Sequence, residues 1–134
     1  MTKQVSLIAF CLLLLCPLAA SAQETAVALR SAKSIYVKSS SLLVGVSVIE
    51  EKLQKRAEFS QLGLVITRSE ADADIILEVH HDLFTKYVYT AIDSKRNIVV
   101  ASGKLSSLGG TVAGKVAKRF LKQLLKVRAS APGS

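Results

Sequence analysis

The chain has 134 residues, half of them apolar, a formal net charge of +8, two cysteines, no tryptophan and a mean hydropathy of +0.38. That length excludes anything beyond one ordinary domain, and that apolar content excludes an intrinsically disordered polymer. The charge is uneven: residues 23–93 hold ten acids and eight bases, whereas residues 94–134 hold nine bases and no acid. The cationic excess therefore belongs to the last third of the chain.

The N-terminus reads MTKQVSLIAFCLLLLCPLAASAQ. Lys3, an apolar run from Val5 to Leu15 and the small-residue stretch Ala20-Ser21-Ala22 follow in the order of a secretory signal peptide. The run is shorter than the roughly 20 apolar residues of a membrane span. Residues 1–22 are read as a signal peptide cleaved after Ala22, leaving a periplasmic or secreted chain of 112 residues. The alternatives are an uncleaved anchor and lipidation at Cys16, where Leu15 replaces the small residue a lipoprotein signal requires. Cleavage removes both Cys11 and Cys16, so a single core must hold the mature domain without disulfides.

In chain order, residues 23–32 show no firm period and read as a flexible lead-in. Ser34 to Lys38 reads as a strand of β-branched and aromatic residues. The serine run 39–41 offers an N-cap to a helix whose apolar face is Leu42, Val46, Ile49, Leu53 and Ala57. Gly63 is a C-terminal stop. Leu64 to Thr67 is the next strand, which makes a strand-helix-strand crossover. From Asp74 the residues alternate, so Ile75, Leu77, Val79, His81 and Leu83 share the core-facing side. Tyr87 to Ile92 and Ile98 to Ser102 form a hairpin across the polar turn 93–97. After Gly109-Gly110, Thr111 to Arg128 has the strongest pattern of all. Val112, Ala113, Val116, Ala117, Phe120, Leu121, Leu124 and Leu125 form one helical face, and Lys115, Lys118, Arg119, Lys122 and Lys126 the other. Residues 33–128 are read as a single domain and 129–134 as a disordered tail.

The stretch EADADIILEVHHD, residues 70–82, looks most like chemistry. Glu70, Asp72 and Asp74 have the spacing that opens a calcium loop. Ile75 and His81 stand where that loop needs its glycine and its glutamate, so the acids read as a polar lead into a strand. His80 and His81 are neighbours on a strand and point to opposite faces, which one metal ion cannot bridge. His80 and Asp82 share a face and are the candidate acid/base pair. Residues 109–116 nearly match a phosphate-cradling loop, but Val116 lacks the hydroxyl that holds magnesium, and the helical period has already begun. Gly45-Val46-Ser47 lacks the second glycine of a nucleophile elbow. No catalytic set, metal site or cofactor is expected.

The pieces KSIYVKS, SLLVGVSVIEEKL, GLVIT, ADADIILEV, YVYTAIDSKRNIVVAS and KVAKRFLKQLLK resemble in their layout small bacterial envelope modules. Those modules are the lipopolysaccharide-assembly lipoprotein family, the N-terminal domain of the TolB family and secreted bacterial domains of unassigned function. The resemblance covers residues 33–127 and departs from the lipoprotein family at the lipobox. It implies action by binding and not by catalysis.

The expected fold is a two-layer α/β sandwich in the order β-α-β-β-β-β-α. It has a mixed, mostly antiparallel sheet of four or five strands, with two helices on one face. Tyr36, Tyr87 and Tyr89 are candidates for a partner surface on the open face. Lys115, Lys118, Lys122 and Lys126 are candidates for contact with an anionic surface. The expected role is a non-catalytic envelope binding or assembly module that meets an envelope protein or an anionic envelope component. Nucleic acid is not expected, because a basic stripe alone is non-specific and export removes the partner. The alternatives are association of the basic helix with anionic lipid or lipopolysaccharide, and a metal-dependent or hydrolytic enzyme at His80 and His81.

Overall fold

A computed structural model describes residues 16–83, 85–107 and 111–130, with side chains from residue 22 onward. The first 15 residues of the expected signal, the Gly109-Gly110 break and the tail beyond residue 130 lie outside the described residues.

Five strands form one open sheet in the order β2-β1-β3-β4-β5. They are β1 Ser34–Ser39, β2 Val65–Ile66, β3 Ile75–His81, β4 Lys86–Asp93 and β5 Ile98–Ser106. β1 lies between β2 and β3 and is parallel to both, whereas β3, β4 and β5 form an antiparallel meander. The parallel junctions pair two and five residues, the antiparallel ones seven and eight, so by length the mixed sheet is mostly antiparallel. The helices are α1 Cys16–Ser31, α2 Val46–Gln54, α3 Ala57–Gln61 and α4 Val112–Ala129. The first three all touch α4, and α2 and α4 lie on the strands, so the helices share one face of the sheet.

The core forms where the period-2 face of the strands meets the 3.6-period face of α4. Ile35, Val37, Ile75, Leu77, Val79 and Ala91 meet Ile49, Leu53, Val116, Phe120, Leu121 and Leu124 in one cluster. Each large side chain buried there contributes roughly 1.5 to 3 kcal/mol. In β3, Ile75, Leu77 and Val79 are buried as the alternation requires, but His81 and Leu83 are exposed. The strand ends at His81, and beyond it the alternation no longer maps onto the core.

The lead-in is a correction. Residues 23–31 belong to α1, which runs across the expected cleavage position. Ala28, Leu29 and Ala32 are buried, and Arg30 Nε donates to Val127 O at 3.3 Å. Small alanines give a weak hydropathy signal but a strong helix propensity, and α4 supplies the surface they pack on. The sheet is therefore covered by more than the two helices expected.

The central helix also departs from its expected course. It begins at Val46 behind Gly45, with no side-chain cap, and Leu42 lies outside it. The serines organise the preceding loop instead. Ser39 Oγ donates to Val44 O at 2.6 Å and accepts from Ser41 N, and Leu43 N donates to Ser41 Oγ. The helix then breaks at Arg56, whose backbone is extended, and restarts as α3. In an unbroken helix Phe59 would sit about 120° from Leu53 and Leu62 about half a turn away. The break resets the phase and buries both. Gly63, at φ 62, ends this segment in the left-handed conformation as its sequence suggests.

Candidate functional site

The last helix lies along the outer edge of the sheet, and its polar side is attached to it. Lys115 Nζ donates to Ser106 O at 3.1 Å, Arg119 Nη1 to Lys104 O at 2.6 Å and Gln123 Nε2 to Ser102 O at 3.3 Å. Steps of four residues along a helix advance about 6 Å, and steps of two along a strand about 6.7 Å. The two ladders therefore stay nearly in step over three rungs. They occupy outward carbonyls of β5, an edge that would otherwise offer free backbone groups to another strand.

Between the ladder and the solvent is a shallow groove of about 310 Å³, lined by Tyr89, Ser102, Gly103, Arg119, Lys122, Gln123 and Lys126. Tyr89 donates its hydroxyl to Gln123 Oε1 at 2.8 Å, and burial raises that hydroxyl's pKa. Its ring lies over Gly103, where a Cβ would come within 2.5 Å of Tyr89 Cε1. The glycine is required by this close approach.

The charge around this flank is predominantly positive. Among the described residues eight of the ten acids form ion pairs, all except Asp72 and Asp82. Their partners are Lys38, Lys55, Arg56, Arg68, His80, Lys95 and Arg96. Among the described residues no ion pair includes Lys86, Lys104, Lys115, Lys118, Arg119, Lys122 or Lys126, and all seven are exposed. The sequence places Lys115, Lys118, Arg119, Lys122 and Lys126 on one helical side, and the fold adds Lys86 and Lys104 to them. The signal for Arg119 and Gln123 was their spacing from Lys115 in steps of four residues. Lys104 and Lys86 join through strand pairing, which no local pattern announces.

Arg128 is a different cation on the same helix. Its Nη1 donates to Leu62 O at 2.6 Å and its Nη2 to Ala32 O at 2.5 Å, while Nε is buried with no hydrogen-bond partner among the described residues. Leu62 caps α3, and Ala32 directly follows α1, so the guanidinium meets the negative ends of two helices. Burial lowers its pKa, and it remains a cation because arginine starts so high.

The three tyrosines do not share a face. Tyr36 is half-buried on the open face, in a row with Ile76, Ile92 and Val99 across β1, β3, β4 and β5. Tyr87 and Tyr89 are buried on the helix-covered face, which corrects their placement on a partner surface. Both alternating sets of β4 are largely apolar, so the strand can lie either way up. Pairing of Tyr89 with Val79 and Gly103 decides it.

The stretch 70–82 resolves into structure. Asp74 Oδ2 accepts from the backbone amides of Lys33 at 2.9 Å and Ser34 at 3.1 Å, and Ser34 Oγ accepts from Asp74 N. These bonds, the Lys33 amide foremost, hold the Asp74 carboxyl below the ordinary aspartate range. Asp74 therefore ties the start of β3 to the start of β1. Glu70 receives Lys38 Nζ at 2.8 Å, a bond that raises the lysine's pKa.

His80 and His81 diverge as adjacent strand residues must. His81 stacks on Tyr87, with ring centroids 4.7 Å apart. His80 partners Ser40 and Glu78 where Asp82 was the expected companion: Ser40 Oγ is 2.8 Å from its Nδ1, and Glu78 Oε2 is 3.3 Å from its Nε2. The arrangement is exposed. The adjacent amides of Ser40 and Ser41 already donate to Val79 O and Ser39 Oγ, so neither is free to hold an oxyanion. Among the described residues no three His, Cys, Asp or Glu side chains converge as metal ligands. No described helix is long and apolar enough to cross a membrane.

No family model matches the chain, and no curated protein matches it. Among solved structures, a variant PelC dodecamer from Paraburkholderia phytofirmans is similar at 16% identity and a TM-score of 0.43, covering 69% of this chain and 88% of that one. A second PelC dodecamer from the same organism gives 15% identity and 0.39, covering 77% and 91%. An uncharacterized lipoprotein B from Nitrosomonas europaea gives 13% identity and 0.32, covering 74% and 77%. These likenesses are distant, and no role passes from those proteins to this chain on their strength.

Proposed function

We infer that this chain is a non-catalytic binding module of the bacterial envelope, and that its working surface is the cationic flank of α4 and β5. The observation that carries the reading is the segregation of charge: among the described residues eight carboxylates are ion-paired on the rest of the molecule, and the cations of this flank are in no ion pair. Such a surface favours an anionic, sequence-independent ligand, and near an anionic membrane each lysine adds about 1 kcal/mol. The signal-like N-terminus supports an envelope setting, where phospholipid headgroups and lipopolysaccharide present that charge.

Sedimentation with phosphatidylglycerol vesicles and with lipopolysaccharide tests the reading. Binding is expected at low salt and should weaken by about tenfold or more at high salt, as screening shortens the reach of the flank. Joint replacement of Lys115, Lys118, Lys122 and Lys126 by Gln should abolish it while the circular dichroism spectrum is retained. Binding that ignores both salt and these substitutions would remove the reading.

A hydrolytic role has one observation in its favour, the Ser40, His80 and Glu78 relay. Covalent labelling of Ser40 by a fluorophosphonate, lost in His80→Ala, would replace the binding proposal with it.

A further inference from the structure

The strand directions gather three loops at one end of the molecule. β1 and β3 are parallel, β4 begins beside the end of β3, and β5 ends beside the start of β4. The loop after β1 and the loop between β3 and β4 therefore project together, and α4 begins at the same end. Ser40 at the root of one loop touches His80 near the root of the other.

Both loops carry leucines into solvent. Leu42 is 102% exposed, Leu43 71% and Leu83 60%. Leu42 buries none of its surface, and Leu43 and Leu83 bury only the smaller part of theirs, so these side chains present apolar surface to water. Their surroundings are basic. Lys86 opens β4 three residues after Leu83, Lys115 lies in the first turn of α4, and Lys104 sits two residues before the end of β5. Asp82 is the carboxylate in these loops, and Lys38 nearby is occupied by Glu70.

Apolar side chains projecting from a cationic rim are the signature of a group that enters the boundary between headgroups and acyl chains. We propose that the anionic surface is a phospholipid bilayer, and that this end meets it first, with Leu42, Leu43 and Leu83 below the headgroups and Lys86, Lys104 and Lys115 at their level. The proposal rests on the cationic-flank reading and sharpens it. From Lys115 to Lys126 the helix advances about 16 Å. That exceeds the Debye length of about 8 Å at physiological ionic strength. Docking by this end predicts that the lysines of α4 contribute in order, Lys115 most and Lys126 least. Docking by the whole flank predicts equal contributions.

The chain has no tryptophan, so Leu43→Trp introduces a sole indole. The full exported chain carrying it is mixed with vesicles of phosphatidylethanolamine and phosphatidylglycerol, with and without bromine on the acyl chains. The expected result is a blue shift of emission, quenching by the brominated lipid, and a fraction of binding that survives high salt. Joint Leu42→Ser, Leu43→Ser and Leu83→Ser should weaken vesicle binding about tenfold or more. Salt-sensitive binding with an unshifted, unquenched indole leaves the flank reading in place and overturns insertion. Binding to lipopolysaccharide but not to vesicles does the same. A blue shift that grows with protein concentration in the absence of lipid assigns the leucines to self-association and overturns the proposal. Binding to neither vesicles nor lipopolysaccharide removes both readings.

Discussion

Around β1, Lys38 reaches Glu70, Asp74 holds two backbone amides, and Arg68 meets the buried Glu50 at 3.0 Å. Along α4 and β5, Lys118, Lys122 and Lys126 form no ion pair among the described residues, and Lys115 and Arg119 lean on carbonyls. The first region uses charge to fix loops onto strands. The second keeps charge facing outward and uses neutral acceptors for its internal bonds. Self-satisfied ionic groups have little left to offer a ligand, whereas an unmatched stripe keeps its field, so the second region is where a partner of opposite sign would settle. The contrast also runs within one helix, because Arg128 serves the interior and Lys122 the solvent.

The sharpest way to break that contrast is Arg128→Ala. It strips two carbonyls at helix ends of their donors and should cost about 3 kcal/mol in urea denaturation. A loss under about 1 kcal/mol would show that water replaces the guanidinium and that Arg128 belongs with the surface lysines after all. Gly103→Ala comes next. The added methyl meets the Tyr89 ring, which is held by burial and by Gln123, and about 2 kcal/mol should be lost. An unchanged midpoint would mean that the ladder between α4 and β5 yields freely.

Asp74→Ala should cost about 1.5 kcal/mol, because the amides of Lys33 and Ser34 lose their acceptor. Asp74 has a lower pKa folded than unfolded, so its contribution is complete above the ordinary aspartate pKa of about 4 and fades as pH falls through the lower folded value. In the variant, the decline of stability with acid should be shallower over that window. Equal slopes for the two proteins would place the acid sensitivity elsewhere. The smallest effect is expected for Lys122→Ala: within about 0.5 kcal/mol in stability, with a measurable loss of affinity for anionic vesicles. A large stability loss there would dissolve the distinction between the two regions.

Local pattern alone was enough for β3, whose strict alternation buries Ile75, Leu77 and Val79, for α4, whose apolar stripe is buried from Val112 to Leu124, and for the stop at Gly63. In each case the sequence contrast between the two sides is strong enough to leave one choice. The lysine side of α4 was legible for the same reason. Tertiary structure decided the rest. β4 carries apolar residues on both sides, so only its register with Val79 and Gly103 sends Tyr87 and Tyr89 inward. β5 extends through the polar run to Ser106 because β4 pairs with it and α4 holds its carbonyls. Residues 23–31 become helix because α4 offers Ala28 and Leu29 a place to pack. The flank and the leucine tips exist only through the meeting of distant segments, since a sequence determines which faces are apolar or charged, and only packing determines which of them end up side by side.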